Sequence, residues 1–308
     1  MEVVPFRPSE AAYRLRVSLL KEAQPAEPWS VEGEMAADAA AAVVPWYACF
    51  ALGPPRGDPI GFARARAEGG SLAGRSRLWV VVARAARRQG AGTALLHAVG
   101  KEAAAGGATE FHASTSLAEP DGLAFAVARG FVEAETEYEL RLDLAAFEPR
   151  GAPPGITSLA ALQRSDADWF EHYYRLHTSV QAGVPWGLGY ALPDPEAFRR
   201  HHVDAEEALH DGTTIALADG EWVGLCEVWR SGGDAVIAYE ELTGVLPAHR
   251  GRGLGSALVA AAASWAKGRG YRCLLTSTGA RNEAMQRTAR RLGFVTMGRW
   301  SHLLGPVT

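Results

Sequence analysis

Two glycine-rich loops of one design occur in this chain. The first is Arg87-Arg88-Gln89-Gly90-Ala91-Gly92 and the second is Arg250-Gly251-Arg252-Gly253-Leu254-Gly255. Both read R-x-x-G-x-G, offset by 250 − 87 = 163 positions. A second landmark, Gly130-Phe131 and Gly293-Phe294, repeats at 293 − 130 = 163. A strand that runs into such a loop and then into a helix aims free backbone N–H groups at one point. The helix N-terminus adds partial positive charge, so the natural guest is an anionic phosphate. Gly251, Gly253 and Gly255 let that guest approach the backbone without a Cβ in the way. His249, Arg250 and Arg252, and in the first copy Arg84, Arg87 and Arg88, favour an anion further. No G-x-x-x-x-G-K-[ST] string follows either strand. No acidic partner marks a dinucleotide fold about 20 residues on.

The second candidate group is a pair of carboxylates. Glu240 and Glu241 lie on "DAVIAYEELTGVL", read as the central strand just ahead of the second loop. Strand alternation would put Tyr239, Glu241, Thr243 and Val245 on one face, and a β-bulge would exchange the two acids. The matching face of the first copy, Ser76, Leu78, Val80 and Val82, has no acid. By the same offset Arg84 stands for Pro247 and Glu119 for Asn282. Three widely spaced cysteines, Cys49, Cys226 and Cys273, read as reduced buried thiols. His201-His202, with His210 nearby, reads as a surface helix, and no metal is expected.

These residues need elements to hold them, and 308 residues suit two domains of about 150 each. In each half a helical N-terminal region precedes strands, the loop, a helix, a strand, a short helix and a last strand. Ser9 is expected to cap the first helix and Ser165 the helix "SDADWFEHYYRLHTSV"; Asp219-Gly220 marks a hairpin. Pro193 and Pro195 stand at the entry of a helix reaching His210. The linker is "FEPRGAPPG" (Phe147–Gly155), which gives an N-terminal domain of 1–148 and a C-terminal domain of 155–308. A net charge of −4 argues against broad nucleic-acid binding, and no apolar run approaches the ~20 residues of a membrane span. A cytoplasmic protein is expected.

With "VLPAHRGRGLGSALV" (Val245–Val259) and "NEAMQRTARRLGF" (Asn282–Phe294) read together, the chain resembles the GNAT superfamily of acyl-CoA N-acyltransferases over nearly all of both halves. The resemblance implies an α/β fold with a mixed, mostly antiparallel central sheet flanked by helices, present as two tandem domains. It implies that the R-x-x-G-x-G loop cradles the pyrophosphate of coenzyme A, with acetyl-CoA as cosubstrate. Val245, Arg250, Gly251, Arg252, Gly253, Leu254, Gly255, Ser256 and Asn282 would then line the cofactor in the second domain. Val82, Arg87, Gln89, Gly90, Gly92 and Thr93 would do so in the first.

The resemblance further implies that the first helices and their loop form the acceptor wall, here rich in aromatics: Tyr173, Tyr174, His177 and Trp186 (with Trp169, Phe170 and Tyr190). Glu241 is expected to face the acceptor as general base, with Glu240 the alternative. Many members carry a tyrosine seven residues after the Asn282 position. Here it is Ala289, and Ala126 in the first copy. Either another group then protonates the leaving thiolate, with Tyr239, Ser277 or water as candidates, or the thiolate leaves unassisted. The first domain, without the acid, is expected to be catalytically degenerate. The expected activity is acetyl transfer to a small-molecule amine by direct attack in a ternary complex, by a monomer or homodimer. The alternatives are a protein N-acetyltransferase and a non-catalytic coenzyme A sensor.

Overall fold

The computed structural model describes residues 1–24, 29–40, 46–53, 57–69, 72–149, 154–231 and 236–307. The chain forms two compact units, Met1–Ala134 with Ser301–Thr308, and Glu135–Trp300. These differ from the boundaries read off the sequence. The final strand of each half leaves its own half, so the Pro/Gly-rich linker, whose residues 150–153 lie outside the described residues, does not divide the compact units.

In the first unit β1 (Glu2–Pro5), α1 (Glu10–Ala23) and α2 (Val31–Ala40) precede β2 (Trp46–Gly53), β3 (Asp58–Ala67) and β4 (Arg75–Val82). Then come α3 (Ala91–Ala105), β5 (Glu110–Ser116), α4 (Pro120–Val127) and the start of β6 (Val132–Asp143). Ser9 caps α1 as expected, its hydroxyl accepting from Ala12 N–H. Strands β1 to β4 are antiparallel neighbours, and β4 pairs with β5 in parallel. Leu95, Leu96, Val99 and Ala103 recur at helical spacing on α3 and bury against Ala51, Ala63, Ala65 and Leu78 of the sheet. On the other side Phe6, Tyr13, Leu20, Phe50, Phe62 and Val81 form a second cluster. Arg16 is fully buried there, paired with Asp38 and Glu34.

The second unit continues with β7 (Ile156–Ser158), α5 (Leu159–Ser165), α6 (Trp169–Ala182) and the short α7 (Pro195–Phe198). A π-helical turn, Arg199–Val203, extends α7. β8 (Thr214–Ala218), β9 (Glu221–Arg230), β10 (Ile237–Val245), α8 (Leu254–Gly268), β11 (Cys273–Gly279), α9 (Glu283–Leu292) and β12 (Val295–Pro306) follow. Ser165 does not cap α6. It ends α5, and its hydroxyl donates back to Ala161 C=O. The helix expected to reach His210 stops at the π turn. The β8–β9 hairpin does turn at Asp219 and Gly220, both at positive φ.

Strand order in this unit is β6-β11-β10-β9-β8-β7, with the first part of β12 beside β6. α8 packs Leu258, Val259, Ala262, Ala263 and Ala266 on one face of the sheet, against Cys226, Val228, Ala238 and Val245. α6 covers the opposite face with Tyr173, Leu176 and Val180 over Leu225 and Ile215. Each leucine so buried stabilises the fold by roughly 1.5–3 kcal/mol. The sheet therefore has an α8 face and an α6 face.

Candidate active site

The second glycine loop opens α8. Gly251 and Gly253 adopt φ of 77° and 81°, and a Cβ at either would meet no atom within 4 Å. Gly253 is the N-cap and offers no side chain, so the first N–H groups of α8 are left to an outside acceptor. Arg250 holds the loop to the strand: its Nε donates to Val245 C=O at 2.9 Å. Its Nη2 lies near Gly183, at the C-terminal end of α6, where carbonyl oxygens favour a cation. Ser256 Oγ lies 3.4 Å from Thr288 Oγ1 on α9. The open glycine surface, the unspent donors and the arginines fit a diphosphate.

Just ahead of this loop the sheet opens. β10 pairs in parallel with β11 only from Ile237↔Cys273 to Glu240↔Thr276. Beyond Glu240 its β11-side edge has no strand partner among the described residues. The same strand bulges, because its register with β9 shifts between Glu240 and Thr243. The bulge corrects the expected alternation and exchanges the two acids relative to Val245, so that Glu240, not Glu241, lies on the Val245 side of the sheet. Thr243 and Val245 do not share a face with Glu241: Val245 lies in the α8-side core, while Leu242 packs on the α6 side and Gly244 faces Val180. Tyr239 and Glu241 face α6, and Glu240 faces α8.

The two carboxylates therefore sit in opposite environments. Glu240 is 2% exposed. Burial raises its pKa to about 7, partly offset by the hydroxyls of Thr243 and Thr276 beside it. Glu241 is open to solvent. Its pKa is also raised, first by desolvation from the protein around it and then by the charge of Glu227. Tyr239 OH donates to Ser277 Oγ at 3.3 Å, and Ser277 Oγ donates to Glu137 Oε1 at 2.5 Å. Burial, then the charges of Glu137, Glu241 and Glu135, push the Tyr190 phenol up to about 12. A group of acids thus lies beside the splayed strands.

The acetyltransferase (GNAT) family model matches this chain twice, over residues 14–131 and 169–294. The chain belongs to that family. GNAT membership makes it an acetyl-CoA-dependent N-acetyltransferase, with the glycine loop and splayed strands present in each half. It is 28% identical to a mycothiol acetyltransferase of Cellulomonas flavigena over 253 residues, 76% of this chain and 68% of that one. It is 32% identical to an aminoglycoside N(6′)-acetyltransferase type 1 of Salmonella typhimurium over 129 residues, 39% of this chain and 86% of that one. Among solved structures, a tandem GNAT protein from the clavulanic acid biosynthesis pathway superposes with a TM-score of 0.72 at 19% identity. The match covers 100% of this chain and 98% of that one. That likeness concerns the fold alone.

The first GNAT copy repeats the architecture with one difference in chemistry. Arg87 Nε donates to Val82 C=O at 3.2 Å, the counterpart of Arg250 and Val245. Here, however, the loop's arginines pair with the protein's own carboxylates. Arg84 Nη2 donates to Glu119 Oε1 at 2.9 Å and Arg88 Nη2 to Asp121 Oδ1 at 3.0 Å, with Arg87 3.8 Å from both acids. Phe125 lies over Gly92, where a Cβ would come within 2.8 Å of its ring. Arg129 stacks on Phe125 and bonds Thr93 Oγ1, and Gln89 donates to Ala85 C=O. At +163 these three closing residues become Asn282, Ala284 and Thr288.

Other expected site residues are placed as follows. Asn282 spends its side chain as the N-cap of α9, accepting from Met285 N–H. Tyr173 and His177 are buried, 2% and 1% exposed, and both donate toward Glu227 Oε1 at 2.7 Å. They form core, not an acceptor wall, because Glu227 beneath them draws both polar ends inward. Tyr174 OH donates to Pro193 C=O, with its ring against Phe198. Trp186 is brought to the sheet, against Gly279 and stacked with Tyr190. Cys273 is buried at the closed end of β11, remote in register from the splay.

Sequence reading missed Glu135 and Glu137 of β6. Glu135 accepts from Gly187 N–H and Ala280 N–H, tying the Trp186 loop to the end of β11. The alternating "EAETEYEL" was a signal of acids on one strand face, but it lay in the half taken to be inert.

Proposed function

We propose that the second GNAT copy is the catalytic one and acetylates the amine of a small, positively charged molecule, with Glu241 as general base. The observation that carries this reading is the contrast between copies. One cradle is open and preceded by a splay with a carboxylate on its accessible face. The other has its arginines paired with Glu119 and Asp121 and no acid on the matching face.

Acetyl-CoA supplies the acetyl group as a thioester. The loop from Arg250 to Gly255 and the first turn of α8 hold its diphosphate. The free edge of β10 beyond Glu240 offers backbone donors and acceptors to the extended arm. An amine with a pKa near 10.4 is protonated at pH 7, and removing that proton costs about 4–5 kcal/mol. Glu241, ionised and facing the α6 side, takes the proton directly or through water. The neighbouring charges of Glu137 and Glu241, with the rings of Trp186 and Tyr190, suit a cationic acceptor with a flat or partly apolar body. The Tyr239–Ser277 pair offers a hydroxyl that can return a proton at the sulfur. The Tyr239 phenol is held protonated because burial raises its pKa, with Ser277 opposing and Glu241 and Glu137 adding to the rise.

The relatives named for mycothiol and for aminoglycosides support a small amine acceptor over a protein. The test is acetyl-CoA turnover against a panel of mono- and polyamines, amino sugars and peptides. Turnover with charged small amines that vanishes in Glu241→Gln supports the reading. Turnover of peptides alone, or coenzyme A binding with no turnover, replaces it with one of the other two expectations.

A further inference from the structure

Beneath the α6 face lies a cluster that the proposed reaction does not use. His177 of α6, His202 of the π-helical turn and Glu227 of β9 each present one donor atom, all within 4.8 Å of one another. His177 Nδ1 is 2.7 Å from Glu227 Oε1, and His202 Nδ1 is 3.5 Å from Glu227 Oε2. His177 Nε2, His202 Nδ1 and Glu227 Oε2 are buried without a hydrogen-bond partner among the described residues. Buried polar atoms are rarely left so, and an ion is one of the few explanations.

We propose that His177, His202 and Glu227 bind one divalent transition-metal ion of zinc type. Two imidazoles and a carboxylate with a fourth position left open are a zinc-like donor set. Bonds of 2.0–2.1 Å in a tetrahedron hold donors about 3.3 Å apart. Through Glu227 Oε2 the 3.5 Å His202 contact already fits, whereas His177, whose Nδ1 now donates to Oε1, must shift to offer a nitrogen to the same ion. The proton between His177 and Glu227 leaves to solvent as the ion enters. Tyr173 OH, 2.7 Å from Glu227 Oε1, orients the carboxylate from outside. Phe198 packs on both imidazoles at 4.9 and 4.7 Å, and Trp229 on His202 at 5.6 Å, giving the apolar surround of a metal centre. The π turn that aims His202 inward is a rare geometry that recurs at functional sites.

The test uses the full chain, stripped with a chelator and titrated with Co²⁺ and then Zn²⁺. The expected result is one Co²⁺ per chain with tetrahedral d–d absorption, displaced by Zn²⁺. Zinc should raise the thermal midpoint by roughly 5–10 °C at a hundredfold excess over its dissociation constant. Binding should weaken as pH falls and the imidazoles protonate. His202→Ala, at the more accessible ligand, should abolish the cobalt spectrum while circular dichroism stays native. A wild-type chain without a stoichiometric cobalt spectrum overturns the proposal and leaves a proton-bridged His–Glu–His network. An unchanged spectrum in folded His202→Ala overturns it equally.

Discussion

Arg250 Nε reaches the carbonyl of Val245 at 2.9 Å, and 163 residues earlier Arg87 makes the same bond to Val82 at 3.2 Å. The first arginine of each loop is thus a clip that fixes the end of a strand to the start of the glycine turn. Removing a bond of this kind destabilises by about 1 kcal/mol in either copy. We expect Arg250→Ala also to raise KM for acetyl-CoA about tenfold, equivalent to 1.4 kcal/mol, while Arg87→Ala leaves KM unchanged. Steady-state kinetics beside denaturant melts separate the two effects. Equal KM shifts in both variants would contradict the division of labour.

Calorimetric titration with acetyl-CoA should show one site per chain. The arginines of the first loop already have partners in Glu119 and Asp121. Gly253→Val places a β-branched residue at φ 81° and should abolish the binding heat. Gly90→Val, at φ 88°, should strain the chain equally but leave the heat intact. A stoichiometry of two would show that the first cradle opens.

Glu241→Gln should lower kcat by about 10²–10⁴, the usual contribution of a positioned base. The base acts only when ionised, so kcat/KM should rise with pH through its pKa. Because desolvation and Glu227 raise that pKa, the acidic limb should lie above the value of an ordinary glutamate and disappear in Glu241→Gln. A wild-type rate in the variant would remove Glu241 from the mechanism.

Glu240 gives a prediction about stability. Its pKa is raised from 4.5 to about 7 in the folded chain. Between those values the folded state binds the proton and the unfolded state does not. The protonated acid's contribution is therefore fully present below pH 4.5 and lost as pH rises through 7. The difference of 7 − 4.5 = 2.5 units is about 3 kcal/mol at most. Glu240→Gln should be more stable than wild type at pH 8, and its stability should fall less from pH 4.5 to 7. Urea melts across that range measure both, and parallel pH profiles would refute the burial argument.

Both loops were legible because they rest on local geometry: only glycine serves well at φ near 80° before a helix, and the duplication shows it twice. The Asp219-Gly220 turn was legible for the same reason. The bulge in β10 was not, since it arises from register against β9, a strand preceding it by a dozen residues. That one register shift separates Thr243 and Val245 from Glu241. The polar cluster under α6 was equally hidden. His177, His202 and Glu227 follow one another at intervals of 25 positions, and nothing local in "RRHHV" says that His202 turns inward while His201 stays exposed. Ser165 misled because a serine followed by an acidic stretch resembles a helix start, whereas Ser158 already caps α5 and leaves Ser165 at its end.

The first half of the gene donates strand β6 to the compact body holding the open cradle, and the last eight residues return to the other. Through Glu135 and Glu137 that donated strand also places acids beside the end of β11. No simple deletion could remove the first half, because the cut would strip the second compact body of most of β6, and of Glu135 and Glu137 with it. The exchange of segments gives a structural reason for both halves to be retained: each is held by what it lends.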